Sequence, residues 1–360
     1  MKFLHIADMH FDTPFKTLNS RGNFGEIRRL DQREIFKKII NYIKEKNIGY
    51  FFIAGDLYEN EYIRLSTIEY INNLFKEIPE TKIFITPGNH DPYINNSMYK
   101  IFNWNNNVKI FTEKIECIEN ENVDIYGVGF NDFYCGTLGV ENIKIKNPEK
   151  INILIVHGAL DGSADNYMQY NFMKKNDLKK LGFDYIALGH IHKPDYNSEE
   201  NQYIVYPGSP ISLGFDELGK HGIIIGNIEK NNLKIEFMPI DNREFKELEL
   251  DVTNITQKEE LIEKLNELNL EENNLYKIIL IGKRNFEINI YELYKFITNK
   301  NIIKIKNNTK LNYNLEELAN NRNLKGIFAQ EILEELNKNN YDKNILENVL
   351  EIGLELLEKQ

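Results

Sequence analysis

The chain has 360 residues and seven histidines. Five of the histidines stand in short segments of similar make-up. These read Asp8-Met9-His10, Gly55-Asp56-Leu57-Tyr58-Glu59, Gly88-Asn89-His90-Asp91, Val156-His157-Gly158 and Gly189-His190-Ile191-His192. In an extended segment, residues i and i+2 project to one side. Asp8 with His10, and His190 with His192, are therefore ready-made pairs of metal ligands. Carboxylate, amide and imidazole donors without a thiol suit Mn²⁺, Fe²⁺ or Zn²⁺. The glycines at 55, 88, 158 and 189 permit tight turns and close backbone approach beside a crowded centre.

Each segment sits at or just past the C-terminal end of an apolar run that reads as a strand. The runs are Lys2–Ala7, Tyr50–Ala54, Lys82–Thr86, Val123–Val128, Asn152–Val156, Tyr185–Leu188, Tyr203–Tyr206 and Gly222–Ile228. In open α/β sheets that edge is where ligands bind. Glu26–Lys46 has an apolar face of helical period through Ile27, Leu30, Phe36, Ile39, Ile40 and Ile43, and Ile63–Ile78 reads as a second helix. Strands that alternate with helices predict an α/β layered domain. The hairpin-like spacing around Asn231-Asn232 predicts mixed sheets.

The pattern changes near residue 243. A strand (Phe245–Val252), a helix (Lys258–Leu268), a strand (Tyr276–Ile281), a helix (Ile290–Thr298) and a strand (Ile302–Lys306) predict a small α/β unit. Two helices follow, about Lys325–Asn337 and Lys343–Glu358. The expected segments are thus 1–242, 243–311 and 312–360.

Composition narrows the class. Hydrophobic residues at 42% and charged residues at 28% are globular values, so fibrous and disordered classes are excluded. No apolar run nears the roughly 18 residues of a membrane span. The opening MKFLHIAD runs straight into a strand and lacks the regions of a secretion signal. Two cysteines rule out a disulfide framework, and a reducing cytoplasm is the expected location. The net charge of −11 argues against coating nucleic acid by charge alone. Residues 312–360 carry ten acidic and five basic side chains, close to half of that excess.

The order D-x-H, GD, GNHD, H, GHxH, with every motif after an apolar strand, resembles the calcineurin-like metallophosphoesterase superfamily. The opening LHIADMHFDTPF and the later YPGSPISLGFDELGKHG look like the SbcD/YhaO-type DNA repair exonucleases. The resemblance covers roughly residues 1–240. It implies layered mixed β-sheets flanked by helices, a small α/β capping domain and C-terminal helices. It implies two divalent metal ions, with Mn best matched and Fe, Zn or Mg as alternatives. Asp8, His10 and His192 would bind one ion. Asn89, His157 and His190 would bind the other, and Asp56 would bridge them. Water between the ions would attack phosphorus in line. His90 would be the catalytic histidine, which contacts the phosphate or protonates the leaving oxygen. Asp91, next in the same segment, is a further catalytic candidate. Glu59 occupies a position that is acidic in many related phosphatases and usually histidine in the double-strand-break nucleases. It is expected to hydrogen-bond His90 and favour its protonated form; the alternative is a solvated loop carboxylate.

The resemblance also implies partners. These are DNA, an SMC-like ABC ATPase (SbcC-type) reached through the C-terminal helices, a second copy in a homodimer, and no membrane. The last helix is apolar over more than half its circumference through Ile345, Leu346, Val349, Leu350, Ile352, Leu354, Leu356 and Leu357. Docking of a partner and closure of its own core are both open readings. Basic residues for a DNA path are Arg21, Arg28, Arg29 and Arg33, then Lys283, Arg284, Lys304, Lys306 and Lys310, or these are solvated faces. Tyr93, Tyr134 and Tyr167 lie near the motif loops and could stack bases or pack the rim. His5, Cys117 and Cys135 read as structural, and His221 stays unassigned. The competing enzyme reading is a phosphomonoesterase or phosphodiesterase for a nucleotide or other small substrate. A non-catalytic scaffold is disfavoured by the complete ligand set.

Overall fold

A computed structural model describes residues 1–15, 18, 23–161, 170–196, 202–312, 314–338 and 340–358. They divide into two compact units, Met1–Phe245 and Lys246–Gln360. Residues 312–360, set apart in the sequence reading, fall within the second unit.

In chain order the first unit holds β1 (Lys2–Ile6), α1 (Phe24–Lys46), β2 (Tyr50–Ala54), α2 (Leu65–Lys76), β3 (Lys82–Thr86), α3 (Met98–Ile101), β4 (Val108–Ile110) and β5 (Glu116–Glu119). It continues with β6 (Val123–Val128), β7 (Ile151–His157), α4 (Lys175–Lys180), β8 (Tyr185–Gly189), β9 (Ile204–Val205), β10 (Gly222–Glu229) and β11 (Asn232–Pro239). One sheet has the order β11-β10-β1-β2-β3-β4 and the other β5-β6-β7-β8-β9. Strands β1 to β4 are parallel, as are β6 to β9. β10 runs antiparallel to β1 and to β11, so the sheets are mixed. The β10–β11 turn is Lys230-Asn231, with Asn231 left-handed at φ 63°. Asparagine tolerates that region, which makes the two-residue hairpin feasible here.

The period-2 alternation of each strand feeds two cores. Leu4, Ile6, Phe51 and Ile53 pack with Ile35, Phe36, Ile39 and Ile43 of α1 and Ile68 and Phe75 of α2. Their neighbours Phe3, Phe52 and Phe84 turn the other way and meet Ile125, Ile153, Ile155 and Tyr185 between the two sheets. The outward faces of β6 to β8 bury Tyr126, Leu154 and Leu188 against Leu178 of α4 and Phe183. Each fully buried large side chain contributes roughly 1.5–3 kcal/mol. The double-sided strands therefore lock one sheet on the other, and both sets of parallel strands deliver their C-terminal ends to the same place. His5 ties the sheets directly: Nδ1 meets the Tyr185 hydroxyl at 2.9 Å and Nε2 the Leu188 carbonyl at 3.1 Å. Burial depresses this imidazole to about 3, so it stays neutral, as a core histidine should.

A buried ionic cluster closes the back of the unit. The sequence reading set Arg28 on a basic face, for DNA or for solvent; Arg28 is instead fully buried. Its guanidinium donates to Asp241 at 2.8 and 3.2 Å, to Asp31 at 2.9 Å and to the Ser212 carbonyl at 2.8 Å. Arg243 Nε donates to Asp31 at 2.8 Å. Arg33 is also engaged, with Asp12 and Thr67. Arg21 and Tyr167 lie outside the described residues.

The second unit carries β12 (Phe245–Asp251), α5 (Lys258–Glu267), β13 (Leu275–Ile281), β14 (Lys283–Arg284), α6 (Ile290–Phe296), β15 (Ile302–Asn307), β16 (Lys310–Leu311), α7 (Leu315–Ala319), α8 (Leu324–Lys338) and α9 (Lys343–Glu358). The β12-β13-β15 sheet buries Ile278, Leu280 and Ile305 against Leu261 and Leu265 of α5 and Leu293 of α6. Arg284, another expected DNA contact, is buried on Thr309 and the Phe286 carbonyl. Lys283, Lys304, Lys306 and Lys310 are exposed. On α9, Leu346, Leu350 and Leu354 pack with Ile332 of α8 and so close a local core. Ile345, Val349, Ile352 and Leu356 form a second stripe that is exposed. Among the described residues no helix is long and apolar enough to cross a membrane.

Candidate metal centre

The loops after β1 and β2 run side by side. The N–H groups of Asp8, His10 and Phe11 donate to the carbonyls of Gly55, Asp56 and Leu57. Asp8, His10, Asp56 and His190 are left-handed, at φ 54°, 48°, 53° and 102°. Such backbone costs roughly 1 kcal/mol or more per residue and marks a site that the surrounding structure over-determines. Two glycines make the crowding feasible. A Cβ on Gly88 would stand 2.2 Å from Asp56 Oδ1, and one on Gly189 would stand 1.9 Å from the Ala54 carbonyl oxygen.

The side chains converge from both sheets. His10 Nε2 faces His192 Nε2 at 3.1 Å, with Asp8 Oδ1 3.9 Å from the latter. Asn89 Oδ1 lies 3.0 Å from His157 Nε2 and 3.2 Å from His190 Nδ1. Asp56 Oδ2 lies 3.7 Å from His10 Nε2 and 3.3 Å from His157 Nε2, so one carboxylate oxygen serves both groups. The sets Asp8/His10/His192 and Asp8/Asp56/His157 each present three donor atoms within 4.8 Å of one another.

The far sides of the rings are held too. His10 Nδ1 pairs with Glu59 Oε1 at 2.8 Å, His192 Nδ1 with Glu217 Oε1 at 2.5 Å, and His157 Nδ1 with the Ala54 carbonyl at 2.9 Å. An imidazole held at Nδ1 by an acceptor keeps its proton there and aims the Nε2 lone pair inward, the usual arrangement around a metal. Three such lone pairs and an amide oxygen beside buried carboxylates form a donor set that divalent cations fit.

The family model of the calcineurin-like phosphoesterases matches residues 1–194, more than half of the chain. The chain belongs to the calcineurin-like phosphoesterase family. It is 25% identical over 263 residues to the uncharacterized metallophosphoesterase YhaO of Bacillus subtilis (strain 168), covering 70% of this chain and 64% of that protein. It is 29% identical over 294 residues to the SbcD component of the SbcCD nuclease of Staphylococcus epidermidis, covering 71% and 74%. It is 26% identical over 284 residues to the DNA double-strand break repair protein Mre11 of Archaeoglobus fulgidus, covering 70% and 62%. The chain thus spans just under two-thirds of the YhaO and Mre11 proteins.

The other members of the motif segments take distinct places around the family's centre. His90 stands at the mouth, its side chain 45% exposed, and Nδ1 pairs with Glu59 Oε2 at 2.9 Å. Glu59 thus spans His10 and His90 with its two oxygens, rather than lying in solvent. Burial opposes charge on His90, yet Asp56 and the Glu59 hydrogen bond outweigh it and lift His90 to about 10. Burial likewise opposes charge on Glu59, and its bonds to His10 and His90 hold it at about 2. Asp91 is fully buried and does not face the mouth. Its carboxylate accepts from the N–H groups of Gly88, Asp56 and Leu57 at 2.6, 3.1 and 2.7 Å and from the Tyr99 hydroxyl at 2.6 Å. That geometry makes Asp91 a brace between the Gly55 and Gly88 loops, whereas the sequence reading had named it only as a further catalytic candidate.

Sequence reasoning missed three supports. Gln32 of α1 donates to the Met9 and His10 carbonyls at 2.9 and 2.8 Å and fixes the first motif. Asn171 donates to the His157 carbonyl at 2.9 Å. Glu217 holds His192 while accepting from the Leu213 N–H at 2.9 Å and the Ser209 hydroxyl at 3.2 Å. His221, left unassigned, braces the same loop through Ser209 at 2.9 Å and the Glu217 carbonyl at 3.0 Å. The only signal for Glu217 was its place in YPGSPISLGFDELGKHG, which carries no spacing rule.

Proposed function

We propose that this chain hydrolyses phosphodiester bonds of DNA as the Mn²⁺-dependent nuclease subunit of a repair complex. The observation that carries the reading is the Asp56 oxygen common to two converging donor groups. Asp8, His10 and His192 would hold one ion, and Asn89, His157 and His190 the other, with Asp56 between. Bound there, two divalent cations polarise phosphoryl oxygens and lower the pKa of water. The chain's own residues do the rest. Asp56 and Asp8 supply buried negative charge. Glu59 holds the His90 ring at the mouth by Nδ1, which leaves Nε2 to meet a phosphate oxygen or to protonate the leaving oxygen. With Asp56 and Glu59 beside it, His90 is protonated at neutral pH, and bound cations would draw its pKa down toward the working range.

Two related proteins with nuclease or repair names support DNA as substrate. The exposed α9 stripe supports a protein partner, proposed as an SMC-like ABC ATPase. Exposed Leu30 and Leu65 on α1 and α2 support a homodimer. The test is cleavage of labelled single- and double-stranded DNA with Mn²⁺, beside bis-p-nitrophenyl phosphate. His90→Ala should lower the rate by about 10²–10⁴-fold, the span of general acid–base catalysis. Turnover of the small ester with no DNA cut, even with an ATPase partner added, would give the site to a small-molecule phosphoesterase.

Cation binding should also release protons. Burial pulls His157 and His192 down, but Asp56 and Glu217 respectively pull harder, and the protein's own charges leave both at about 9. Ligation needs both rings neutral. Apparent affinity is therefore expected to rise with pH through the neutral range and to level off above about 9. Calorimetry at pH 7 in buffers of different ionisation enthalpy should count about two protons displaced on filling both sites. A buffer-independent heat would remove these two rings from the ligand set.

A further inference from the structure

A pocket opens beside His90 and Asn89, and its walls differ in kind. Phe133, Tyr134 and Tyr170 supply the aromatic part, and Asn60 and Glu61, with Glu59, supply the polar part. Tyr134 is 64% exposed. Its ring lies 5.9 Å from that of Tyr170, and the Tyr170 ring lies 5.0 Å from that of His190, a candidate metal ligand. An aromatic column thus leads from the rim to the centre.

This column rests on fixed backbone. Asn171 N–H donates to the Cys135 carbonyl at 2.6 Å, and Phe172 N–H to the Gly136 carbonyl at 3.0 Å. The Asn171 side chain, fully buried, joins the Leu138 N–H and the His157 carbonyl. The polar part is fixed as well, because Asn60 N–H donates to the His90 carbonyl at 3.0 Å. Among the described residues, the Asn60 amide and the Glu61 carboxylate make no side-chain hydrogen bond.

Charge decides what such a pocket takes. Glu59 and Glu61 would repel a second phosphate there. An uncharged planar ring with amino and carbonyl edges meets each wall in turn. It stacks on Tyr134, the Asn60 amide both donates and accepts, and the Glu61 carboxylate accepts from an exocyclic amine. We propose that this pocket receives an unstacked nucleobase, that of the nucleotide whose phosphate is cut. The proposal rests on the nucleic-acid reading of the centre. It makes an unpaired or frayed strand the form that engages the site, since a base held in a duplex stack cannot enter.

The test uses the full chain with Mn²⁺ and single-stranded oligonucleotides that carry a normal or an abasic residue at the cleaved position. Tyr134→Ala, an exposed substitution, should lower kcat/KM on the normal strand by about tenfold, as for one lost base–aromatic stack. Tyr134→Phe keeps the ring and should restore it. Removing the base should cost the wild type a similar factor, and the two losses should not add. Equal losses from Tyr134→Ala on both strands, or an abasic strand cut as fast as the normal one, would overturn the proposal. If bis-p-nitrophenyl phosphate turns over and no strand is cut even with an ATPase partner added, the DNA reading has failed, and the pocket is read by 2-aminopurine nucleoside 5′-monophosphate. Fluorescence quenched by the wild type and not by Tyr134→Ala supports base binding; no quenching by either overturns it.

Discussion

Asp56→Asn is expected to leave phosphodiester hydrolysis at background and to weaken cation binding at both subsites together. The amide keeps the shape of the carboxylate, and Oδ1 still accepts from the His90 N–H, now at 2.8 Å. What is lost is the charge on the oxygen that sits 3.7 Å from His10 Nε2 and 3.3 Å from His157 Nε2. Burial raises the cost of ionising Asp56, but His157, His90 and His10 hold its carboxyl well below the usual range, so the anion is present at any working pH. Replacing one shared ligand should therefore empty two sites, whereas a ligand of one set should empty one. Titration with Mn²⁺, followed by calorimetry, separates these outcomes. A variant that still binds two ions with wild-type affinity would end the bridging role.

Arg28→Leu is the largest expected loss of stability. It removes the guanidinium that serves Asp241, Asp31 and the Ser212 carbonyl, all with little or no exposure. Breaking a buried ion pair on one side leaves charge without compensation and costs about 3–5 kcal/mol. That is a large share of the roughly 5–15 kcal/mol that a domain has in total. Urea midpoints at constant slope would measure it. The same change should reach the centre, because the Ser209–Glu217 loop that Arg28 pins also carries the partner of His192. A loss below about 1 kcal/mol would mean that the aspartates find water instead.

Much of the candidate centre was legible because the residues that converge there come in short motifs at strand ends, and type, order and spacing survive in one dimension. Orientation does not. Asp91 shares its segment with Asn89 and His90, yet its carboxylate turns back under the loops onto backbone N–H groups. Arg28 looked like one of four surface arginines, and its burial on Asp31 and on the distant Asp241 and Ser212 gives it a structural role. Glu217 orients His192 from a loop that has no period to betray it. Among the elements, β4 and β5 escaped because Val-Lys-Ile and Glu-Cys-Ile-Glu are too short and too polar to stand out as strands. On α9 the apolar period was real but could not say which face is covered; the α8 contact takes Leu346, Leu350 and Leu354, and the other face is left open.

His10 and His192 touch although 182 positions separate them along the chain. A ribosome thus releases the first motif long before the last exists, and no fragment that lacks either sheet can assemble the centre. The site behaves as a logical AND of two folded halves. A truncated or half-folded chain cannot bring these donors together, so the centre is complete only once both sheets have folded.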